Sequence, residues 1–171
     1  MERGYKGLKL GLSPEGHPRL TSPSHEYHWK EEGEEVAEGF RPEENYGPGF
    51  YSLKSPEGVK EQGFWEPGRW PSVLAEIIPY GRVAHGTKGY RSEKASISAI
   101  FREDHLCDAC EKELGTVLVS KGGKEAPILL CRGCLTKLKK ALPKAKLKEM
   151  GIENYWYTLG KRYNVPVVKL L

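Results

Sequence analysis

The chain has 171 residues, which is enough for one ordinary domain or for a domain with a small appendage. It lacks the run of roughly eighteen apolar residues that a membrane-spanning helix needs, and its first residues lack the apolar stretch of a secretion signal. The formal net charge of +4 is unevenly divided: residues 1–105 carry 14 basic and 17 acidic groups, whereas residues 106–171 carry 13 and 6. We therefore expect a cytoplasmic protein with no membrane partner, whose basic second part meets something anionic.

The proportions of the charged and amide residues are unusual. There are 21 Glu against 2 Asp and 18 Lys against 9 Arg, and the amide side chains amount to three Asn and one Gln. Enrichment in Lys and Glu with few thermolabile amides is typical of hyperthermophile proteins. The composition therefore predicts a protein of a thermophilic prokaryote or of its phage.

Short strand and turn signals dominate the first 104 residues. The aromatic stretch after Gly47 predicts a strand that ends at Leu53, and Ser55-Pro56-Glu57 predicts the capped start of a short helix. Residues 73–78 are an apolar strand candidate that we expect to end at Pro79. Residues 93–101 alternate, with Ala95, Ile97, Ala99 and Phe101 expected on one face of a half-buried strand. These signals predict a small, β-rich N-terminal domain.

The only four cysteines stand as Cys107-Asp-Ala-Cys110 and Cys131-Arg-Gly-Cys134. Two C-x2-C turns about twenty residues apart have the spacing of a zinc site with four thiolate ligands. All four positions are then protein atoms, so the site is structural and binds one Zn²⁺, and we expect metal loss to unfold residues 105–142. Two disulfides or four free thiols are the alternative, and thermophily would give disulfides some added weight.

A hairpin and a helix surround the second cysteine pair. Residues 115–120 and 126–130 flank the turn Lys121-Gly-Gly-Lys124, which predicts a β-hairpin. Leu135, Leu138 and Leu142 recur at helical spacing after Cys131, so the positive end of a helix dipole should stabilise the second pair of thiolates. This order of elements, a C-x2-C turn, a hairpin and a second C-x2-C turn at the start of a helix, resembles a treble-clef zinc finger, as in the small zinc-binding domain of the bacterial unfoldase ClpX. The resemblance implies a metal site but no particular function.

A run of lysines without any acid follows the second cysteine pair. Such a tract on helices would form a basic surface that neutralises phosphates and predicts binding to nucleic acid or to a nucleic-acid-associated complex. A solvated lysine surface whose charges pair with acids elsewhere is the alternative. The six residues are Lys137, Lys139, Lys140, Lys144, Lys146 and Lys148. Beyond them, residues 151–171 are expected to be a docking tail in which Trp156, Tyr157, Val167 and Leu170 pack on the body.

An enzymatic function would have to use the polar residues of the N-terminal part, where Glu93 and His85 could act as acid and base beside Tyr51 and Arg91. The alternative, which we favour, is a turn between strands with surface charges. The strand Phe50-Tyr51-Ser52 with a later Glu loosely resembles ADP-ribosyltransferases, although the family's site histidine precedes that strand. Residues 45–101, with Gly81-Arg-Val and Gly89-Tyr-Arg-Ser-Glu, also resemble an uncharacterised group of phage and bacterial proteins, which implies no activity.

These signals together predict an α+β protein with three parts. Residues 1–104 form the β-rich domain, residues 105–150 form the treble-clef finger with its basic helix, and residues 151–171 form the tail. The predicted function is that of a non-enzymatic zinc-finger protein that contacts nucleic acid through its basic C-terminal surface. A protein–protein adaptor that binds through its acidic first half is the alternative from another class.

Overall fold

The computed structural model describes residues 1–23, 27–31, 34–44, 46–121 and 126–170, and within them the chain is a mixed, mainly β protein, as predicted. The strands are β1 Gly4–Leu12, β2 Pro18–Thr21, β3 Glu35–Val36, β4 Phe50–Leu53, β5 Ser72–His85, β6 Gly89–Arg102, β7 Val117–Ser120, β8 Ile128–Leu130, β9 Lys148–Gly151 and β10 Val167–Lys169. The helices are α1 Pro56–Glu61, α2 Arg132–Ala141 and α3 Ile152–Tyr163. None of these helices combines the length and apolar character that crossing a membrane requires.

Four strands of the larger sheet pair in a closed ring. The long hairpin of β5 and β6 forms its frame, β1 pairs with β5, and β4 pairs with β6 and also, through Leu53 opposite Tyr5, with β1. In the described residues the sheet is completed by β2 on β1 and by β3 and β10 on β6. Among the strand pairs that the structure describes, only β10 with β6 is parallel. Closing the ring leaves few unpaired edges, which are a liability in β proteins.

Two predictions for the N-terminal part are confirmed: strand β4 ends at Leu53, and helix α1 begins directly after Ser55. Ser55 is the N-cap of α1, with its hydroxyl accepting a hydrogen bond from the Gly58 N–H at 3.1 Å, and Pro56 opens the helix. The buried side chain of Val59 then attaches α1 to a small cluster with Trp65 and Leu74. A capping hydroxyl followed by proline therefore specifies this helix from sequence alone.

The predicted end of β5 at Pro79 is wrong, because the strand continues to His85 with Pro79 opposite Ala95 of β6. Pairing between β1 and β5 stops at Ile77, so beyond that residue β5 has no described ladder partner on its other side. Proline cannot donate a ladder hydrogen bond, and it is tolerated where a strand has a free edge. A proline would end a strand that is paired on both sides, but at Pro79 strand β5 is paired with β6 and no longer with β1.

The predicted alternation along β6 holds only in its first part. Ala95 belongs to the main hydrophobic core, and Ile97 packs against it, as the alternation predicts. Beyond them Ile100 lies in the same core, whereas Phe101 packs against the small cluster of Val59, Trp65 and Leu74. The register explains the change: Glu76 lies opposite Ala99 and Ile77 opposite Ile97, so Ser98 is an additional residue in β6. Such a bulge exchanges the two faces of a strand beyond it.

The main hydrophobic core crosses both domain boundaries that were expected at residues 104 and 150. It joins strand residues such as Leu8, Ile77 and Ile100 to Leu129 of β8 and to Trp156 of α3. The predicted docking of the tail is confirmed for Trp156, which is buried, and for Val167 and Leu170, which are half-buried and pack against core residues. It is wrong for Tyr157, whose side chain is exposed.

Helix α3 is attached to the sheet by two tyrosine hydroxyls. Tyr155 donates to the carbonyl of Gly11 at 2.8 Å, and Tyr163 donates to the carbonyl of Trp29 and accepts from the N–H of Leu20, both at 2.9 Å. Burial raises the pKa of both tyrosines, so each stays a neutral donor in the folded protein. The last helix is thereby an integral layer of the fold.

Candidate metal centre and basic surface

The first cysteine pair lies in a tight turn fixed by backbone hydrogen bonds. The N–H of Cys107 donates to the carbonyl of Glu113 at 2.8 Å, and the N–H of Glu111 donates back to the carbonyl of Cys107 at 2.9 Å. Asp108 attaches this turn to β8: its N–H donates to the carbonyl of Leu129 and its carboxylate accepts from the Leu129 N–H, both at 2.8 Å. The turn that carries Cys107 and Cys110 is thus held against the hairpin of β7 and β8.

The second cysteine pair opens helix α2, as the sequence predicted. Cys131 is the N-cap, and its sulfur accepts a hydrogen bond from the N–H of Cys134 at 3.4 Å. A thiolate at this position meets the positive end of the helix dipole and the unpaired N–H groups of the first turn. The predicted hairpin strands are confirmed as β7 and β8, while most of the turn between them, residues 122–125, lies outside the described residues.

The four sulfurs converge on one point. The ligand atoms of Cys107, Cys110, Cys131 and Cys134 all lie within 4.8 Å of one another, and the sulfurs of Cys110 and Cys131 are 4.0 Å apart. A tetrahedral ion with metal–sulfur bonds of about 2.3 Å would separate its ligands by about 3.8 Å. None of the four cysteines forms a disulfide bond. The cluster therefore has the size and donor set to hold one metal ion.

Backbone donors favour the ionised form of the first two cysteines. Burial alone would raise the pKa of Cys107, but N–H groups of Cys110, Cys131 and Ala109 point at its sulfur and lower the pKa to about 6. N–H groups of Glu113 and Lys112 lower the pKa of Cys110 in the same way. The pKa of Cys134 is instead raised, chiefly by its hydrogen bond with Cys131. A bound cation would relieve this crowding of negative sulfurs, since coordinating thiols are deprotonated.

Apolar side chains cover the inner side of the cysteine cluster. Val119, Leu130 and Leu135 pack with buried Cys107 and Cys131, and Leu138 and Leu147 cover the rim. Cys110 and Cys134 are half-buried and face outward. An apolar shell of this kind limits the access of water to metal ligands.

His105 stands two residues before Cys107, but it lies outside the cysteine group and joins the first cysteine turn to the sheet. Its Nε2–H donates to the carbonyl of Ser72 at 2.9 Å, and its ring stacks on Trp156 with centroids 6.1 Å apart. The adjacent N–H of Leu106 donates to the carbonyl of Gly68 at 3.0 Å. No short motif in the sequence signals this role, because the partners lie on distant strands and loops.

The six lysines of the basic tract are all exposed, but three of them lie outside the helices on which the sequence analysis placed the tract. Lys137, Lys139 and Lys140 belong to α2, Lys144 and Lys146 lie in the connection after it, and Lys148 begins β9. Lys139 forms an ion pair with Glu149 at 3.0 Å. The helix ends at Ala141, two residues before Pro143, because a residue that precedes proline is disfavoured in helical geometry.

The four residues considered for catalysis are engaged separately. Arg91 is buried, donates to the carbonyls of Pro48, Arg41 and Glu44, and lies 4.8 Å from the ring centre of Phe40. It thereby fastens the loop before β4, which is a structural role.

The other three have separate partners. Glu93 forms an ion pair with Arg82 at 3.2 Å, and hydrogen bonds from Arg82 lower its pKa. The hydroxyl of Tyr51 donates to the carbonyl of Gly47 at 2.9 Å, and His85 contacts the ring of Tyr90 edge-on. The described contacts therefore do not assemble these side chains into one site.

Comparison with known proteins gives no match: neither a scan against protein-family models nor searches of curated proteins and of solved structures find one. The cysteine cluster and the surfaces around it are therefore the features of the molecule that indicate its function.

Proposed function

We propose that the four cysteines bind one structural zinc ion in a treble-clef finger, and that the exposed lysines of this finger bind nucleic acid. The observation that carries the first part is the convergence of four sulfurs within 4.8 Å of one another. The order of elements, from cysteine turn to the β7–β8 hairpin to a helix capped by the second cysteine pair, supports the treble-clef part of the proposal.

Zinc fits these ligands better than other ions. Thiolates are soft ligands, and a tetrahedral set of four sulfurs selects zinc or iron rather than magnesium, calcium or manganese. Since all four positions are filled by sulfur, no place remains for a reacting water, and the ion has a structural role. A reducing compartment such as the cytoplasm would keep the four thiols available for the metal.

The nucleic-acid part of the proposal rests on charge and exposure. Apart from Lys139, the lysines of the tract form no ion pair within the described residues, so their charges face solvent. A phosphate backbone would neutralise these charges and release counterions, which makes binding strong at low salt and independent of sequence. The adaptor function remains the alternative if no nucleic acid binds.

The metal is tested by elemental analysis of protein purified without added metal and without chelator. We expect one zinc per chain, and substitution of Cys131→Ser should abolish it. Iron in place of zinc would change the identity of the ion, and an absence of metal together with two disulfides would overturn the metal site itself.

The lysine surface is tested by the salt dependence of binding to a DNA oligonucleotide. The variant Lys137→Gln, Lys140→Gln, Lys144→Gln should bind more weakly, and the slope of log affinity against log salt should be shallower by roughly 2–3. The matched control neutralises three exposed lysines of the N-terminal part: Lys9 of β1, Lys60 of α1, and Lys88 of the turn between β5 and β6. If the two triple variants weaken DNA binding equally, with zinc content unchanged, the lysine tract is not a specific binding surface and contributes only to the general surface charge.

A further inference from the structure

A groove runs along the outer face of α3, between this helix, the end of β6 and the segment that leads into β10. Its volume is about 660 Å³, and it is widely open to solvent. The floor is apolar and includes Trp156, Val165 and Val167. Gly160 permits this shape, because a Cβ there would lie 2.9 Å from a methyl group of Val167.

Two cations stand at the rim of the groove, each beside an aromatic ring. Arg102 is held by Glu153 through two hydrogen bonds of 2.6 and 2.8 Å, and its guanidinium lies 5.9 Å from the ring centre of Trp156. Lys161 lies 4.8 Å from the ring centre of Tyr157. Glu153 is thus neutralised by Arg102, whereas Lys161 forms no ion pair in the described part of the chain. The rim therefore carries a positive charge that suits an anionic ligand.

Tyr157 gives this groove a second recognition element. Its side chain is 63% exposed although its neighbours Tyr155 and Trp156 are buried in the core. The ammonium of Lys161 lies over the ring of Tyr157, and most of the Tyr157 side chain is exposed to solvent. The exposed part of the ring can stack on a planar group whose attached anion reaches Lys161, and proteins that bind single-stranded nucleic acid combine aromatic rings and cations in this way.

We propose that the groove on α3 is a stacking subsite for an unpaired nucleotide of a single-stranded nucleic acid. Tyr157 stacks on the base, and Lys161 binds the adjacent phosphate. This inference rests on the proposed nucleic-acid function and adds to it a preference for single strands. The lysine tract contains no aromatic residue, so it supplies sequence-independent attraction, while the groove distinguishes an unpaired base from a duplex.

The test compares the zinc-loaded parent with Tyr157→Leu in binding to oligothymidylate, to a duplex of the same length, and to an abasic phosphodiester of equal charge. Fluorescence anisotropy at one fixed salt concentration measures each affinity. Tyr157→Leu should weaken binding to the single strand about 5- to 100-fold, as expected for the loss of one base stack. Its affinities for the duplex and for the abasic strand should not change, and Tyr157→Phe should retain the parent's affinity.

Tyr46→Leu provides the matched control, because Tyr46 is another strongly exposed tyrosine far from α3 in the chain. If Tyr157→Leu binds the single strand as well as the parent does, while the triple lysine variant binds weakly, the groove is overturned and the proposed function stands. Equal losses on single strand and duplex would also overturn the stacking subsite. If the parent binds none of the three probes at low salt, both the function and the subsite fail.

Discussion

The ring of strands and the cysteine segment are built by different means. In the ring, large apolar side chains such as Leu8, Ile77 and Ile100 are almost completely buried in one core. Around the cysteines, the buried residues are a few aliphatic side chains and two of the thiols themselves. Apolar burial can stabilise the first region, whereas a segment of this size generally depends on metal binding for its folding free energy.

The hairpin of β7 and β8 belongs to both regions at once. Leu118 and Leu129 lie opposite each other and contact the main core, while Val119 and Leu130 contact the cysteine cluster. This follows from the alternation of side chains along a strand. The two regions are therefore joined through a shared hairpin, and the comparison predicts which elements depend on the metal and which do not.

Removal of the metal should have the largest effect on this comparison. Structural zinc contributes about 10–16 kcal/mol to folding in finger peptides, so chelation or Cys131→Ser should unfold α2 and the two cysteine turns. The ring should keep its structure, and so should the core-facing side of the hairpin, because Leu118 and Leu129 belong to the main core. This narrows the expectation from sequence, in which all of residues 105–142 unfold. Hydrogen exchange resolved by segment should show lost protection in α2 and retained protection in β5 and β6.

Addition of zinc should restore protection in the chelated parent but not in the serine variant. If α2 stays protected in metal-free protein, the ion is not required for folding of this segment. If the ring loses protection to the same extent, the two regions form one cooperative unit and the comparison is wrong.

Two neighbouring leucines separate the contributions of the two regions. Leu129→Ala and Leu130→Ala each remove a buried side chain and should cost about 2–5 kcal/mol of unfolding free energy in the zinc-loaded protein. In metal-free protein the cost of Leu130→Ala should disappear, because its surroundings are already unfolded. The cost of Leu129→Ala should persist.

The measurement is urea denaturation of both variants and the parent, with and without zinc. Each leucine is the matched control for the other, since residue type, strand and burial are the same. Loss of both costs in the metal-free protein would mean that the hairpin leaves the main core when the metal is removed. Persistence of both costs would mean that the surroundings of Leu130 stay folded without the metal.

Sequence alone predicted the features that depend on chemistry within a short stretch. The C-x2-C spacing located the cysteine cluster, and Ser55 with Pro56 located a helix start, because both signals involve residues a few positions apart. Features that depend on distant partners were missed. Strand β5 continues through Pro79 because its pairing with β1 stops at Ile77. The extra residue Ser98 exchanges the faces of β6 because of the register of β6 against β5.

The role of α3 shows the same limit. Tyr155 and Tyr163 look like ordinary aromatic residues of a C-terminal segment, yet their hydroxyls bond to backbone groups more than 130 residues earlier in the chain. Nothing near them in the sequence specifies those partners. The groove on α3 was missed for this reason too, since it forms only when Trp156 is buried against the sheet and Tyr157 is left outside.

The attachment of α3 to the ring gives the smallest of the three expected effects. Tyr163→Phe removes the acceptor of the buried Leu20 N–H and the donor to the Trp29 carbonyl, which should cost about 1–3 kcal/mol of unfolding free energy. The variant should also alter the response to alkaline pH. Burial raises the pKa of Tyr163, whereas in the unfolded chain the phenol ionises near pH 10.

Above pH 10 the unfolded chain therefore releases a proton that the folded protein retains, so the parent loses stability as pH rises. Tyr163→Phe lacks this phenol, and its stability should fall less steeply, by up to about 1.4 kcal/mol per pH unit. Urea denaturation between pH 8 and pH 11 measures both slopes, with Tyr157→Phe as the control for an exposed tyrosine of the same helix. Equal slopes for the parent and Tyr163→Phe would mean that the phenol ionises as readily in the folded protein as in the unfolded chain. The side chain of Tyr163 would then not be shielded from water between α3 and the sheet.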